Sequence, residues 1–108
     1  MANKRIYKTL DESEEEYYRS HPDEIDEYLA TVFEEYAKDR CTAALFAQLR
    51  MIARVKGVST LAQETGITRN GIQKALSENG NPKFESINAI MNAMGYRLTP
   101  QKLDVHAK

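Results

Sequence analysis

Between Leu61 and Leu76 two short stretches of helical spacing meet at one glycine, Gly66, and this junction constrains the fold more than any other feature of the chain. Glycine takes a left-handed backbone conformation without a side-chain clash, so it can end one helix and turn straight into the next. Helices joined so tightly must cross steeply, which demands a small residue at the crossing and apolar residues that clamp the second helix. Ala62 meets the first demand; Ile67 and Ile72 with Ala75 or Leu76 meet the second. Ser59 and Thr60 are hydroxyl residues suited to capping the first helix, and Thr68 suits the N-cap of the second. The pair is expected over 59–77, its second helix running from about Thr68 to Ser77.

The rest of the chain keeps the same period. Ile25, Leu29, Val32, Phe33 and Tyr36 fall on one helical face after a Ser20-His21-Pro22-Asp23-Glu24 start, where proline loses nothing and carboxylates favour the dipole. Leu45, Phe46, Leu49, Ile52 and Ala53 follow a Thr42 cap and stop at Lys56-Gly57. After a turn-forming stretch over 77–82, Phe84, Ile87, Ile90, Met91 and Met94 form a stripe that Gly95 ends. Tyr96 to Thr99 alternates, as a short strand closed by Pro100 would. Paired with its symmetry mate, such a strand would make Tyr96, Arg97 and Leu98 a dimer contact. Residues 1–20 read as a loosely ordered arm with at most one or two helical turns, Ile6, Tyr7, Leu10, Tyr17 and Tyr18 being scattered around an acidic run. Residues 99–108 read as a tail. The expectation is an all-α bundle of about five helices in one domain over 21–98.

A chain of 108 residues, 42% of them hydrophobic, has material for one modest core and no second domain. Its single cysteine, Cys41, cannot close an internal disulfide, which points to a reducing, cytoplasmic setting. No run approaches the ~20 apolar residues of a membrane span, and the start lacks the apolar centre of a signal peptide. His21 and His106 have no acidic, cysteine or histidine partner at ligand spacing, so neither a metal nor another cofactor is expected. Glu14-Glu15-Glu16 are adjacent on a helix and do not converge on one point, so the chain offers no catalytic candidate and reads as a binding protein rather than an enzyme.

The net charge of −1 conceals a division. Residues 1–40 hold six basic side chains against twelve acidic ones, a balance of −6; residues 41–108 hold nine against four, a balance of +5. One part therefore offers a basic surface for phosphates, the other an acidic one that is either a face for a basic protein or simply a solvated helix. On the second helix of the glycine-joined pair the outward side chains are Arg69, Asn70, Gln73 and Lys74. Arginine and lysine donate to guanine, and asparagine and glutamine pair bidentately with adenine, which makes double-stranded DNA the expected partner. Thr68 serves as a cap, a base contact or both; Asn81 and Lys83, like Ser59 and Thr60, either touch phosphates or lie in solvated segments. Gly71 inside this helix costs about 1 kcal/mol relative to alanine, tolerable for close packing or for a close phosphate.

At Ala62, Gly66, Ile72 and Lys74-Ala75-Leu76 the sequence resembles the lambda-repressor-like, Cro-type helix-turn-helix family. The likeness is closer to one branch. Ile52 to Gly57, Leu61 to Gly66, Ala75-Leu76-Ser77 and Gly80 to Phe84 resemble the addiction-module antidotes, HigA-like antitoxins common on prophages, and Asp23-Glu24-Ile25 with Tyr28-Leu29 resemble that group's upstream segment. The resemblance spans Pro22 to Leu98. It implies a dimeric repressor of its own operon that neutralises a small RelE/HigB-like toxin and binds a palindromic operator through Thr68, Arg69, Asn70, Gln73 and Lys74. It assigns no toxin contact to particular residues. A prophage regulator with no toxin partner and a protein-interaction module on the same scaffold are the competing readings.

Overall fold

The computed structural model describes residues 10–103. Six helices lie among them: α1 (Leu10–Ser20), α2 (Ile25–Asp39), α3 (Thr42–Lys56), α4 (Val58–Thr65), α5 (Arg69–Ala75) and α6 (Phe84–Ala93). A 3-10 turn at Pro22–Glu24 leads into α2. Residues 1–9 of the expected arm and 104–108 of the tail, His106 among them, fall outside the described residues.

α3 is the central element. α1 and α2 pack against it, while α4 joins it to a second group in which α4, α5 and α6 contact one another. Met51, Ile52 and Ala53 are three consecutive residues pointing in different directions from the α3 axis, and each is at most 1% exposed. Such a run survives only when a helix is covered on most sides. The core that covers it draws Ile25, Leu29 and Val32 from α2, Leu61 from α4, Ile72 from α5 with Leu76 at its end, and Ile90 and Met91 from α6. No polar or charged residue among those described is buried, so desolvation works almost entirely on apolar surface, at about 25 cal/mol per Å².

The sixth helix is α1, where a loose arm was expected. Its fastening to α3 is long-range, Glu15 bonding the Arg54 guanidinium through Oε1 at 2.8 Å, while Oε2 holds Arg19 of the same helix at 2.8 Å. Arg19 also donates to the Arg54 carbonyl at 3.4 Å. The Arg54 bond, followed by the Arg19 bond, holds the Glu15 carboxyl below its ordinary range against the opposing effect of burial. The expected caps also move. Cys41, not Thr42, is the N-cap of α3, and Gly57 takes that place for α4, so that Ser59 and Thr60 lie inside its first turn without capping it. Phe84 leaves the expected apolar stripe, being 72% exposed on the first residue of α6, so that packing begins a turn later at Ile87.

No strand occurs among the described residues, and 96–103 carry no regular secondary structure within the single chain. The Tyr96 N–H is taken by the Met91 carbonyl at 2.9 Å, a helix-ending bond rather than a ladder bond. Its hydroxyl donates to Asp26 Oδ1 at 2.6 Å, and its ring lies 5.4 Å from Lys56 Nζ. Burial first, then the Asp26 bond, hold the Tyr96 phenol protonated well above its ordinary range. Arg97 is exposed and Leu98 packs against the core. None of the described helices is long and apolar enough to cross a membrane.

Candidate nucleic-acid interface

The phase of α5 about its own axis decides what it presents. Ile72 and Leu76 are 1% and 0% exposed and fix the inward edge. At about 100° per residue, Asn70 and Lys74 then point away from the core, with Gln73 and Arg69 on one flank between the two directions. All four are exposed, as is Thr68. The side chains read as base-contacting from the sequence are therefore brought together on one arc of about 140°.

The turn that sets this phase is bonded at both ends. Gly66 has φ +78 and its N–H donates to the Ala62 carbonyl at 3.0 Å, ending α4. Thr65 Oγ1 accepts the Ile67 N–H at 3.0 Å, and Thr68 Oγ1 accepts the Gly71 N–H at 2.9 Å, so Thr68 is the N-cap of α5. A side chain on Gly71 would place its Cβ 2.8 Å from Ile67 Cγ2 and 3.1 Å from Thr68 Oγ1. Between the two reasons weighed for this glycine, close packing of the turn against the first turn of α5 accounts for it.

The far end of α5 is held by two devices. Arg50 of α3 donates to the Leu76 carbonyl, setting a cation at the negative end of the helix. Gly80 folds back so closely that its Cβ would lie 2.5 Å from the Ala75 carbonyl oxygen and 2.6 Å from that of Lys74. Its N–H donates to Ser77 O at 2.9 Å, so the loop bearing exposed Asn81 and Lys83 is tied to the end of α5. A cavity of about 100 Å³ between α3 and α5 is lined by Arg50, Arg54 and Gln73 with apolar neighbours, so Gln73 borders α3 rather than standing free. Ser59 and Thr60 are exposed on the first turn of α4.

Arg69, Lys74 and Lys83 give this end of the molecule three exposed cations, and α5 contains no carboxylate. Chemically the arc can donate and accept hydrogen bonds in a groove and neutralise phosphates. Among the described residues no group of three or more His, Cys, Asp or Glu is placed to hold a metal ion.

Residues 6–102 match the family described as "Probable addiction module antidote protein". The chain belongs to that family. The match reaches further towards the N-terminus than the resemblance read from motifs and takes in the residues of α1. The chain is also 36% identical over 80 residues to a protein of Haemophilus influenzae named only as an uncharacterized protein, an alignment covering 74% of this chain and 78% of the relative. No solved structure matches. Sequence reasoning missed Arg50 and the close approach of Gly80 in this antidote-family chain. Arg50 carries no signal of its contact, whereas a glycine between Asn79 and Asn81 gives a weak one, since it also suits an ordinary turn.

Proposed function

We propose that this antidote-family chain is the DNA-binding antitoxin of a type II toxin–antitoxin module: a homodimer that represses its own operon and neutralises a small RelE/HigB-like toxin. In this reading α4, the turn at 66–68 and α5 are a lambda-repressor-like, Cro-type helix-turn-helix, and the protein acts by binding rather than by catalysis. The observation that carries it is the exposed arc of Arg69, Asn70, Gln73 and Lys74 on a helix locked in phase by a capped turn and two buried residues. Family membership supports the toxin half, since an antidote implies a toxin to oppose.

A dimer would set two copies of α5 in successive major grooves about 34 Å apart and so read a palindromic operator. Asn70 and Lys74, facing straight out, are assigned to base edges; Arg69 reads a base from the flank, Gln73 contributes from the border with α3, and Thr68 combines capping with a contact to the backbone. Ser59, Thr60, Asn81 and Lys83 are assigned to phosphates. Arg97 remains available to a dimer contact, whereas Tyr96 is half-buried and already bonded within the chain and Leu98 packs against the chain's own core.

Gel-shift titration against the DNA upstream of the chain's own reading frame tests this. Arg69→Ala and Asn70→Ala should each weaken operator binding by about 1–3 kcal/mol and relax base preference locally, while Lys83→Ala weakens all sequences alike. Parent-like operator affinity in both the Arg69 and the Asn70 variants would overturn the assignment.

A further inference from the structure

At the corner where α1 meets α2, an aromatic layer runs from solvent to core. Tyr17 is 42% exposed, although most large apolar side chains described here are covered. Its ring stacks on His21 with centroids 4.1 Å apart and planes 13° from parallel, and meets Tyr18 edge-on at 5.1 Å. Tyr18 lies 4.6 Å from Tyr28, and both pack against the core. The outer pair is held rigidly: His21 Nδ1 is 2.8 Å from the Tyr17 carbonyl oxygen, and the Tyr17 hydroxyl donates to Glu24 Oε1 at 2.7 Å. Carboxylates ring this layer. Glu24 and Asp23 bear on the Tyr17 phenol, and Glu14, Glu24 and Glu27 bear on Tyr18. Arg19, the cation nearest in sequence, is engaged by Glu15.

We infer that this aromatic–acidic corner, around Tyr17, His21, Glu24 and Glu27, docks an arginine- or lysine-bearing segment of the toxin. This rests on the antidote reading above and adds to it the face and the chemistry of the contact. Flat, exposed aromatic faces attract cations through the ring quadrupole, and a guanidinium can stack on such a face while its edge pairs with carboxylate. A pre-held ring gives its contact area at little cost in side-chain entropy. Charge disfavours two other occupants: a phosphate backbone would be repelled, and a second copy docking this face on itself would set like charges together. The corner belongs to α1 and α2, on α3, whereas the DNA arc belongs to α5, so one chain can hold both partners.

The test is calorimetric titration of the full chain with the purified protein encoded beside it. Tyr17→Ala should raise the Kd at least tenfold, whereas Tyr17→Phe, which keeps the ring, stays within about twofold. Glu27→Gln should weaken binding and flatten its salt dependence. Glu35→Gln, further along α2, serves as the control and should match the parent. Operator gel shifts of the variants should be unchanged, separating lost docking from lost folding. If the parent binds the toxin and the Tyr17→Ala and Glu27→Gln variants bind equally well, the corner is not the site. Equal losses in Glu35→Gln would also overturn it, showing a diffuse field in place of a docking face. Failure of the parent itself to bind would overturn the antidote reading, and the docking inference with it.

Discussion

A methyl group added at Gly80 would meet backbone oxygens of Lys74 and Ala75, and backbone at a helix end cannot swing aside as a flexible side chain can. At Gly66 an added Cβ has nothing within 4 Å, and only the left-handed φ of +78 resists substitution. The two glycines should therefore respond differently. Gly66→Ala is expected to cost about 1 kcal/mol, the ordinary penalty of that conformation. Gly80→Ala is expected to cost about 2–3 kcal/mol, as overpacking does, and to weaken DNA binding through displacement of Asn81 and Lys83. Urea-unfolding midpoints of the two variants decide it, and a larger loss at Gly66 would refute the close-approach account. Arg50→Met removes the cation from the Leu76 carbonyl and should speed amide exchange in the last turn of α5 while leaving the middle of α3 protected. At this scale the sequence showed much of the site: once Ile72 and Leu76 are taken as inward, the phases of Asn70 and Lys74 follow by arithmetic. Arg50 did not show itself, because a carbonyl partner 26 residues away leaves no mark on the local pattern.

Among the elements, those with an apolar stripe could be read and the one fastened by charge could not. α2, α3 and α6 carry three or more apolar residues at helical spacing, and they form within a few residues of the expected spans. α1 presents acidic residues around Tyr17 and Tyr18, and besides the Tyr18 ring packed on the core it is fastened by Glu15 bonding Arg54, a geometry that exists only after α3 has formed. The same bridge makes the attachment of α1 dependent on pH. The Glu15 carboxyl has its folded-state pKa lowered from an ordinary value of 4.5, so its contribution is present above about that pH and is lost as pH falls through the lower folded value. Melting temperatures taken at pH 6 and at successive steps below 4.5 should fall more steeply for the parent than for Glu15→Gln. At pH 6 the variant should be the less stable of the two. Parallel curves would mean that the bridge contributes nothing measurable, as exposed ion pairs often do.

Over the whole molecule, folding redistributes the charge that the sequence assigns to its two parts. The basic part carries +5, yet Arg54 is engaged by Glu15 and Arg50 by a helix end, so neither is a free cation for phosphate. In α5 and the loop behind it Arg69, Lys74 and Lys83 remain exposed, three in each chain. If the six such cations of a dimer, those that read base edges included, each displace about one counterion from the duplex, the logarithm of the binding constant falls with the logarithm of salt concentration at a slope of about −5. A single chain acting alone would give about half of that. Titrations of an operator duplex across a range of salt concentrations read the slope directly, and Lys83→Ala in both protomers should reduce its magnitude by about two. A parent slope near zero would contradict phosphate neutralisation altogether. A slope much steeper than −5 would mean that further cations reach the duplex. Arg50 and Arg54 line the cavity beside Gln73 and would be the first to look for, which would require the Glu15 bridge to open when DNA binds.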